Sequence, residues 1–213
     1  LNIEPELTFK PPKINQKAKK IISKKLDELK IKNFIIFHPS AQYNYKIYPK
    51  KMRDELLKLI NTLSIKVIIT GSNNEIDTQI KKEIPQFDNI FNWIGNTTID
   101  EYIALSDLSD GYLGMDTLNM HIAASQNKKI FAIFGPTKLK MWSPWSNQIQ
   151  RATSVNIPLQ IYGNITIFQS SFPCDSCGLI GCGSSHGKNN FIFKIKPKDI
   201  FHELEKWYKN VQL

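Results

Sequence analysis

What most constrains this chain is a series of short, almost wholly apolar runs, each halted by glycine, proline or a small polar residue. Phe34-Ile35-Ile36-Phe37 stops at His38-Pro39-Ser40, Val67-Ile68-Ile69-Thr70 stops at Gly71-Ser72, and Lys129 to Phe134 closes on Gly135-Pro136-Thr137. A strand with one wet face alternates apolar and polar residues, whereas a strand covered on both faces does not. These runs therefore predict strands sandwiched between two layers. Between them, apolar residues recur at helical spacing. Asn15 caps a helix reaching Leu29, with Ala18, Ile21, Ile22, Leu26 and Leu29 on one face. Lys51 to Leu63, Glu75 to Ile84 (ended by Pro85) and Ile99 to Leu108 (capped by Thr97 or Thr98) are further helices. Ile90 to Ile94 and Gly111 to Gly114 read as strands, Asn119 to Gln126 as a helix, and Lys198 to Asn210 as a closing amphipathic helix. Strands and helices alternating at this spacing predict right-handed crossovers and an α/β, Rossmann-like doubly wound parallel sheet.

Three portions follow. Residues 1–33 form a linker, with Pro5, Pro11 and Pro12, and a leading helix; 34–150 form the core; 151–213 hold a cysteine-containing loop and the last helix. The 213 residues, 41% of them hydrophobic, suffice for one core. No apolar run approaches the ~20 residues needed to cross a bilayer, and the first residues lack the basic cap and apolar stretch of a signal peptide. The expected location is the cytoplasm, and a start at Leu1 points to upstream sequence that has been removed. Lys plus Arg outnumber Asp plus Glu by 28 to 19. That balance favours anionic partners such as nucleic acid, phosphorylated donors or a membrane surface, but the lysines are dispersed. A lysine-rich proteome would give the same charge.

In an open α/β sheet, ligands bind beyond the carboxyl ends of the strands. Polar, turn-forming residues fall there at His38 to Lys46, Gly71 to Glu75 and Gly114 to His121, bordered by Gly95 to Thr98. Asp116-Thr117-Leu118-Asn119 joins a strand to a helix, whose first free N–H groups and positive dipole end could hold a phosphate. The same residues could be an ordinary helix cap. Lys46 could reach a diphosphate and stabilise the charge on a departing nucleotide, or be one more solvated lysine. Glu75 could accept both hydroxyls of a ribose, or simply favour a helix start.

These motifs resemble a known family. His38-Pro39-Ser40 followed by Lys46-Ile47-Tyr48-Pro49 is similar to the His-Pro-Gly…Lys-x-Trp-Pro signature of the heptosyltransferases, glycosyltransferase family 9. Gly114 to Ala124 resembles the family's Asp-(Ser/Thr)-Gly-x-x-His-x-Ala-Ala segment. Phe134-Gly135-Pro136-Thr137, then Trp142-Ser143-Pro144, resembles its Phe-Gly-Pro-Thr…Trp-x-Pro ending. The resemblance implies the C-terminal, donor-binding domain of a GT-B glycosyltransferase that transfers a sugar, heptose from an ADP-linked donor in this family, to a lipopolysaccharide or lipooligosaccharide core or other glycan. It implies an inverting reaction with no cofactor required. By carry-over, Ser40 and Lys46 contact the diphosphate, and Asp116, Thr117 and the Leu118 N–H line the phosphate turn. Glu75 holds the ribose, Asn96 and Thr97 border the adenine, and His121 braces the loop. Leu118 and Ser40 stand where the family has glycine, so Leu118 is expected to narrow the phosphate pocket or alter its donor. The family's general base lies in an N-terminal domain absent here, so this chain alone is expected to be inactive. A lipid-linked acceptor would bring peripheral contact with the inner membrane, and no nucleic acid is expected as a partner.

The chain has three cysteines, all in Cys174-x-x-Cys177-x-x-x-x-Cys182, with His186 close behind. Sulfur and imidazole in a glycine-rich loop have the spacing of a small zinc site; the resemblance implies iron instead, since one branch of the family binds iron through cysteines in this region. Three reduced thiols are the plain alternative. A zinc knuckle on a Rossmann-like module binding nucleic acid or a protein is the rival function. It calls for basic residues around Cys174 to Lys188, where only Lys188 lies.

Overall fold

The apolar runs form the middle of one seven-stranded sheet in the computed structural model, which describes residues 9–170 and 192–211. In chain order come α1 (Gln16–Glu28), β1 (Phe34–His38), α2 (Lys50–Ile60), β2 (Lys66–Ile69), α3 (Glu75–Glu83), β3 (Ile90–Asn92) and α4 (Ile99–Leu108). They are followed by β4 (Gly111–Met115), α5 (Leu118–Ser125), β5 (Lys129–Phe134), α6 (Leu139–Trp142), β6 (Leu159–Tyr162), β7 (Ile165–Gln169) and α7 (Pro197–Val211). The strand order is β3-β2-β1-β4-β5-β7-β6, and only the β6–β7 pairing is antiparallel. This is the expected doubly wound α/β sheet.

Every residue of β1 and β4 is buried, as an uninterrupted apolar run requires. Side chains alternate between the two faces. Phe34, Ile36, Ile68, Tyr112 and Ile130 pack with Ile22 of α1, Leu105 of α4 and Ala123 of α5. Ile35, Phe37, Val67, Leu113 and Phe131 pack with Leu56 of α2, Ile80 of α3 and Leu204 of α7. The caps follow the sequence. Asn15 accepts from the Lys17 and Ala18 N–H groups, and Thr98 with Glu101 forms a reciprocal capping box.

Residues 151–170 hold a hairpin that the apolar pattern did not predict. β6 and β7 turn at Gly163-Asn164, and β7 adds parallel to β5. The missed signal is that glycine–asparagine pair between two apolar runs. The sheet therefore runs on past residue 150, and α7 contributes to the core beside α2.

No described helix is long and apolar enough to cross a membrane. Cys174, Cys177, Cys182 and His186 lie outside the described residues. Among the described residues, no group of three or more His, Cys, Asp or Glu could hold a metal ion.

Candidate functional site

The strand order reverses between β1 and β4, which makes their carboxyl ends the place where a crevice opens. There His38 and Gly114 are paired in register. A cleft of about 340 Å³ sits at this point, lined among others by His38, Ser40, Asp77, Thr97, Thr117 and Asn119. Thr117 occupies the N-cap position of α5, but its side chain makes no capping bond. Its hydroxyl lies 3.4 Å from the Tyr112 hydroxyl, which donates to the Met115 carbonyl at 2.8 Å. The sequence reading of Asp116 or Thr117 as a side-chain cap is thus corrected. The positive end of α5 is left without a side-chain acceptor, ready for an anion.

Lys46 reaches this turn from the loop after β1. Its Nζ lies 3.3 Å from Asp116 Oδ2, and the Asp116 side chain is only 2% exposed. Burial raises the Asp116 pKa, and the nearby Lys46 charge opposes that rise. The buried Asp116 carboxylate holds the Lys46 ammonium near the start of α5. Tyr48, two residues on, is fully buried and donates to the Ile195 carbonyl at 2.6 Å, which pins the same loop.

His38 is buried, and its Nδ1 lies 3.1 Å from Thr70 Oγ1 and 3.0 Å from Asn119 Nδ2. Burial lowers its pKa from 6.5 to about 4, although Asp77 nearby pulls the other way. It is neutral at pH 7 and links β1, β2 and α5 through hydrogen bonds. Because the folded state binds this proton more weakly than the unfolded chain, stability is complete above pH 6.5 and falls as the pH drops toward about 4. Urea unfolding should show a loss of up to about 3 kcal/mol across that window. His38→Gln should flatten most of the slope.

Ser40, Thr97 and Thr117 of the expected ligands share the cleft, and Lys46 with Asp116 stands beside it. Others point elsewhere. Glu75 lines a separate groove of about 630 Å³ with Tyr45, Arg53 and Glu83. The reason is helical rotation: Asn74 and Asp77 face the cleft, and Glu75, one residue past the cap, turns away. Asn96 faces α1, where its carbonyl accepts from Lys25 Nζ at 3.5 Å. Leu118 is 65% exposed in regular helix, so its backbone needs no glycine. His121 is partly buried, and burial lowers its pKa.

The family model for glycosyltransferase family 9 (heptosyltransferase) matches residues 2–161. This chain belongs to that family. Lipopolysaccharide heptosyltransferase 3 of Escherichia coli is 26% identical over 120 residues, 55% of this chain and 35% of the relative. Lipooligosaccharide heptosyltransferase 2 of Campylobacter jejuni is 29% identical over 133 residues, 62% of this chain and 36% of the relative. Among solved structures, the E. coli ADP-heptose lipopolysaccharide heptosyltransferase II has the same fold, with a TM-score of 0.64 at 16% identity. That match covers 95% of this chain and 54% of the solved one. The chain thus spans about half the length of its solved relative and less of the curated ones.

One residue of this family 9 site escaped the sequence. Asp77 is buried, and its Oδ2 accepts from Ser72 N at 2.7 Å and Ser72 Oγ at 2.6 Å. Asn74 Oδ1 in turn accepts from Asp77 N at 2.7 Å, which closes a ring around the β2–α3 turn. Asp77→Ala removes the oxygen that accepts from both Ser72 groups, so the turn should loosen. A nucleotide spanning the cleft should bind about tenfold more weakly to that variant in calorimetry, with overall fold retained by circular dichroism.

Proposed function

We propose that this chain is the donor-binding half of an inverting heptosyltransferase that takes heptose from an ADP-linked donor. The pairing of Lys46 with buried Asp116, at the uncapped start of α5 and the switch point of the sheet, carries this reading. When an acceptor hydroxyl attacks the anomeric carbon, the bond to the diphosphate breaks and negative charge grows on the departing oxygen. Helix N–H groups and an ammonium already fixed in place stabilise that charge without reorganising. The nucleoside would extend across the ends of β1 and β2 toward Thr97 and Thr98, which line the same cleft.

Neither buried carboxylate of the site is placed to deprotonate an acceptor: Asp116 holds Lys46, and Asp77 holds Ser72. The base would come from the other half of the enzyme, so this chain alone should bind donor without turning it over. A lipopolysaccharide core or other lipid-linked glycan is the acceptor this reading implies, approached from the cytoplasmic face of the inner membrane. The formal charge of +9 supports such an anionic surface as a peripheral contact.

Calorimetric titration tests the proposal. ADP and ADP-heptose should bind the chain with micromolar affinity, and a single-stranded RNA should not displace them. Absence of ADP binding, or RNA binding that ignores ADP, would favour the binding-module alternative and sink this one.

A further inference from the structure

β6 is the last strand of the sheet, and among the described residues β7 is its only partner strand. The Gln169 N–H donates to the Pro158 carbonyl, so residues 158, 160 and 162 turn their main chain toward β7 in the alternation of an antiparallel pair. Leu159 and Ile161 consequently turn their N–H and C=O groups outward, to a side with no strand on it. The N–H that Pro158 lacks belongs to the β7 side, so this proline does not blunt the free edge. The Leu159 and Ile161 side chains share one face and are 40% and 53% exposed, and Val155 and Ile157 just before them are 56% and 43% exposed. Gln160, on the other face, is held in place: Thr153 Oγ1 donates to its Oε1 at 2.7 Å, and its Nε2 donates to the Val155 carbonyl at 2.8 Å. No Lys, Arg, Asp or Glu occurs from 152 to 170, although these types make up 22% of the chain. Sheet edges are ordinarily protected by charge, by shortness or by a covering element. At the opposite end of the sheet, β3 is three residues long and partly buried throughout. β6 instead carries no charge and shows its apolar residues to solvent.

Charge and symmetry decide what fits this edge. Over most of its surface a chain of formal charge +9 repels its own copies, but two β6 edges bring no like charges together. Centred on Gln160, an antiparallel copy sets Leu159 opposite the second copy's Ile161, and Ile161 opposite its Leu159. Both pairs exchange N–H and C=O bonds, and each joins two exposed apolar side chains on one face. A two-fold axis maps this contact onto itself, so it closes at two copies. We propose that β6 pairs with β6 of a second copy, joining two seven-stranded sheets into one. β5 and β7 separate this edge from the switch point between β1 and β4, so both clefts stay open and face opposite directions. The pairing does not depend on what the clefts bind.

Sedimentation velocity of the 213-residue chain under reducing conditions provides the test. One short strand makes a small interface, so the dimer should dissociate with a Kd of about 10–100 µM. Ile161→Lys puts a charge into each apolar pair, a device that keeps natural edges apart. It should weaken association by at least about tenfold. The melting temperature should stay that of wild type, because this side chain is already half exposed. Gln160→Cys should, on oxidation, give an interchain disulfide joining the two copies of position 160, identified by mass spectrometry. In the stated register these residues face each other as a close, non-hydrogen-bonded pair. A chain that stays monomeric at about 500 µM overturns the proposal and leaves the edge to a different protein. A dimer indifferent to Ile161→Lys, or linked through other positions and never through 160, overturns it as well. So does association that grows without limit, since the two-fold contact closes at two copies.

Discussion

Gly114→Ala should destabilise the protein by about 3 kcal/mol or more and abolish nucleotide binding. At this position φ is +154°, and a Cβ would lie 2.3 Å from the His38 carbonyl oxygen and 2.9 Å from the Tyr112 hydroxyl. The first of these is backbone in a paired neighbouring strand, so no rotamer change relieves it. Relief requires β1 and β4 to part at the point where the crevice opens, which drags His38 and Thr117 with them. Penalties of this size arise when a packed core is forced to move as a unit. Gly111→Ala makes a useful comparison, since it sits in the same strand, far from the crevice. Its Cβ would lie 2.9 Å from the Lys129 carbonyl oxygen. It should cost stability but spare nucleotide affinity once folded at low temperature. Equal melting behaviour of Gly114→Ala and wild type would refute the steric account.

Lys46→Gln should weaken ADP binding by about 2 kcal/mol, a factor of roughly 30, since hydrogen bonds from charged groups are worth about that much. Its second effect appears in the absence of ligand. Asp116 already has a raised pKa through burial, and Lys46 is what limits the rise. Raising a folded-state carboxyl pKa means that the native state binds this proton more tightly, so stability declines as pH climbs through the interval between the usual value and the raised one. Without Lys46 that interval should extend upward, and the variant should lose more stability than wild type between mildly acidic and neutral pH. Asp116→Asn separates the two roles. It removes the cost of a buried carboxylate, so its stability at pH 7 should equal or exceed that of wild type. It also frees Lys46 from its anchor, so ADP should still bind more weakly. If Asp116→Asn left ADP affinity unchanged, the carboxylate would not be what positions the cation.

The doubly wound sheet was legible because parallel strands buried on both faces leave continuous apolar runs, and each run ended at a residue that stops a strand. Caps at Asn15 and Thr98 were legible for the same reason, a local side-chain bond written in local sequence. The hairpin of β6 and β7 was written in Gly163-Asn164, yet its strands are short and one is half exposed, so periodicity alone passed over it. Within the site, Ser40, Thr97 and Thr117 followed from strand ends. Glu75 and Asn96 did not, because one residue of helical rotation or turn direction decides which face a side chain serves. Asp77 was invisible for a different reason, since its importance lies in its bond to Ser72; Tyr48 stood in the Lys46 motif, but its bond to Ile195, 147 residues away, was not legible there. A strand-end rule finds groups that can touch a ligand. It does not find the groups that hold those in place.

The Tyr48 hydrogen bond to Ile195 ties the loop of Lys46 to the segment that leads into α7. If the Lys46 turn holds the diphosphate as proposed, seating of the last helix and occupancy of that turn share one mechanical link, and thermodynamic reciprocity applies to it. Whatever part of a bound diphosphate's affinity depends on α7 being seated is returned to α7 as tighter docking. Fraying of α7 should accordingly be suppressed by nucleotide, which amide exchange along residues 197–211 would record as protection arising far from the ligand.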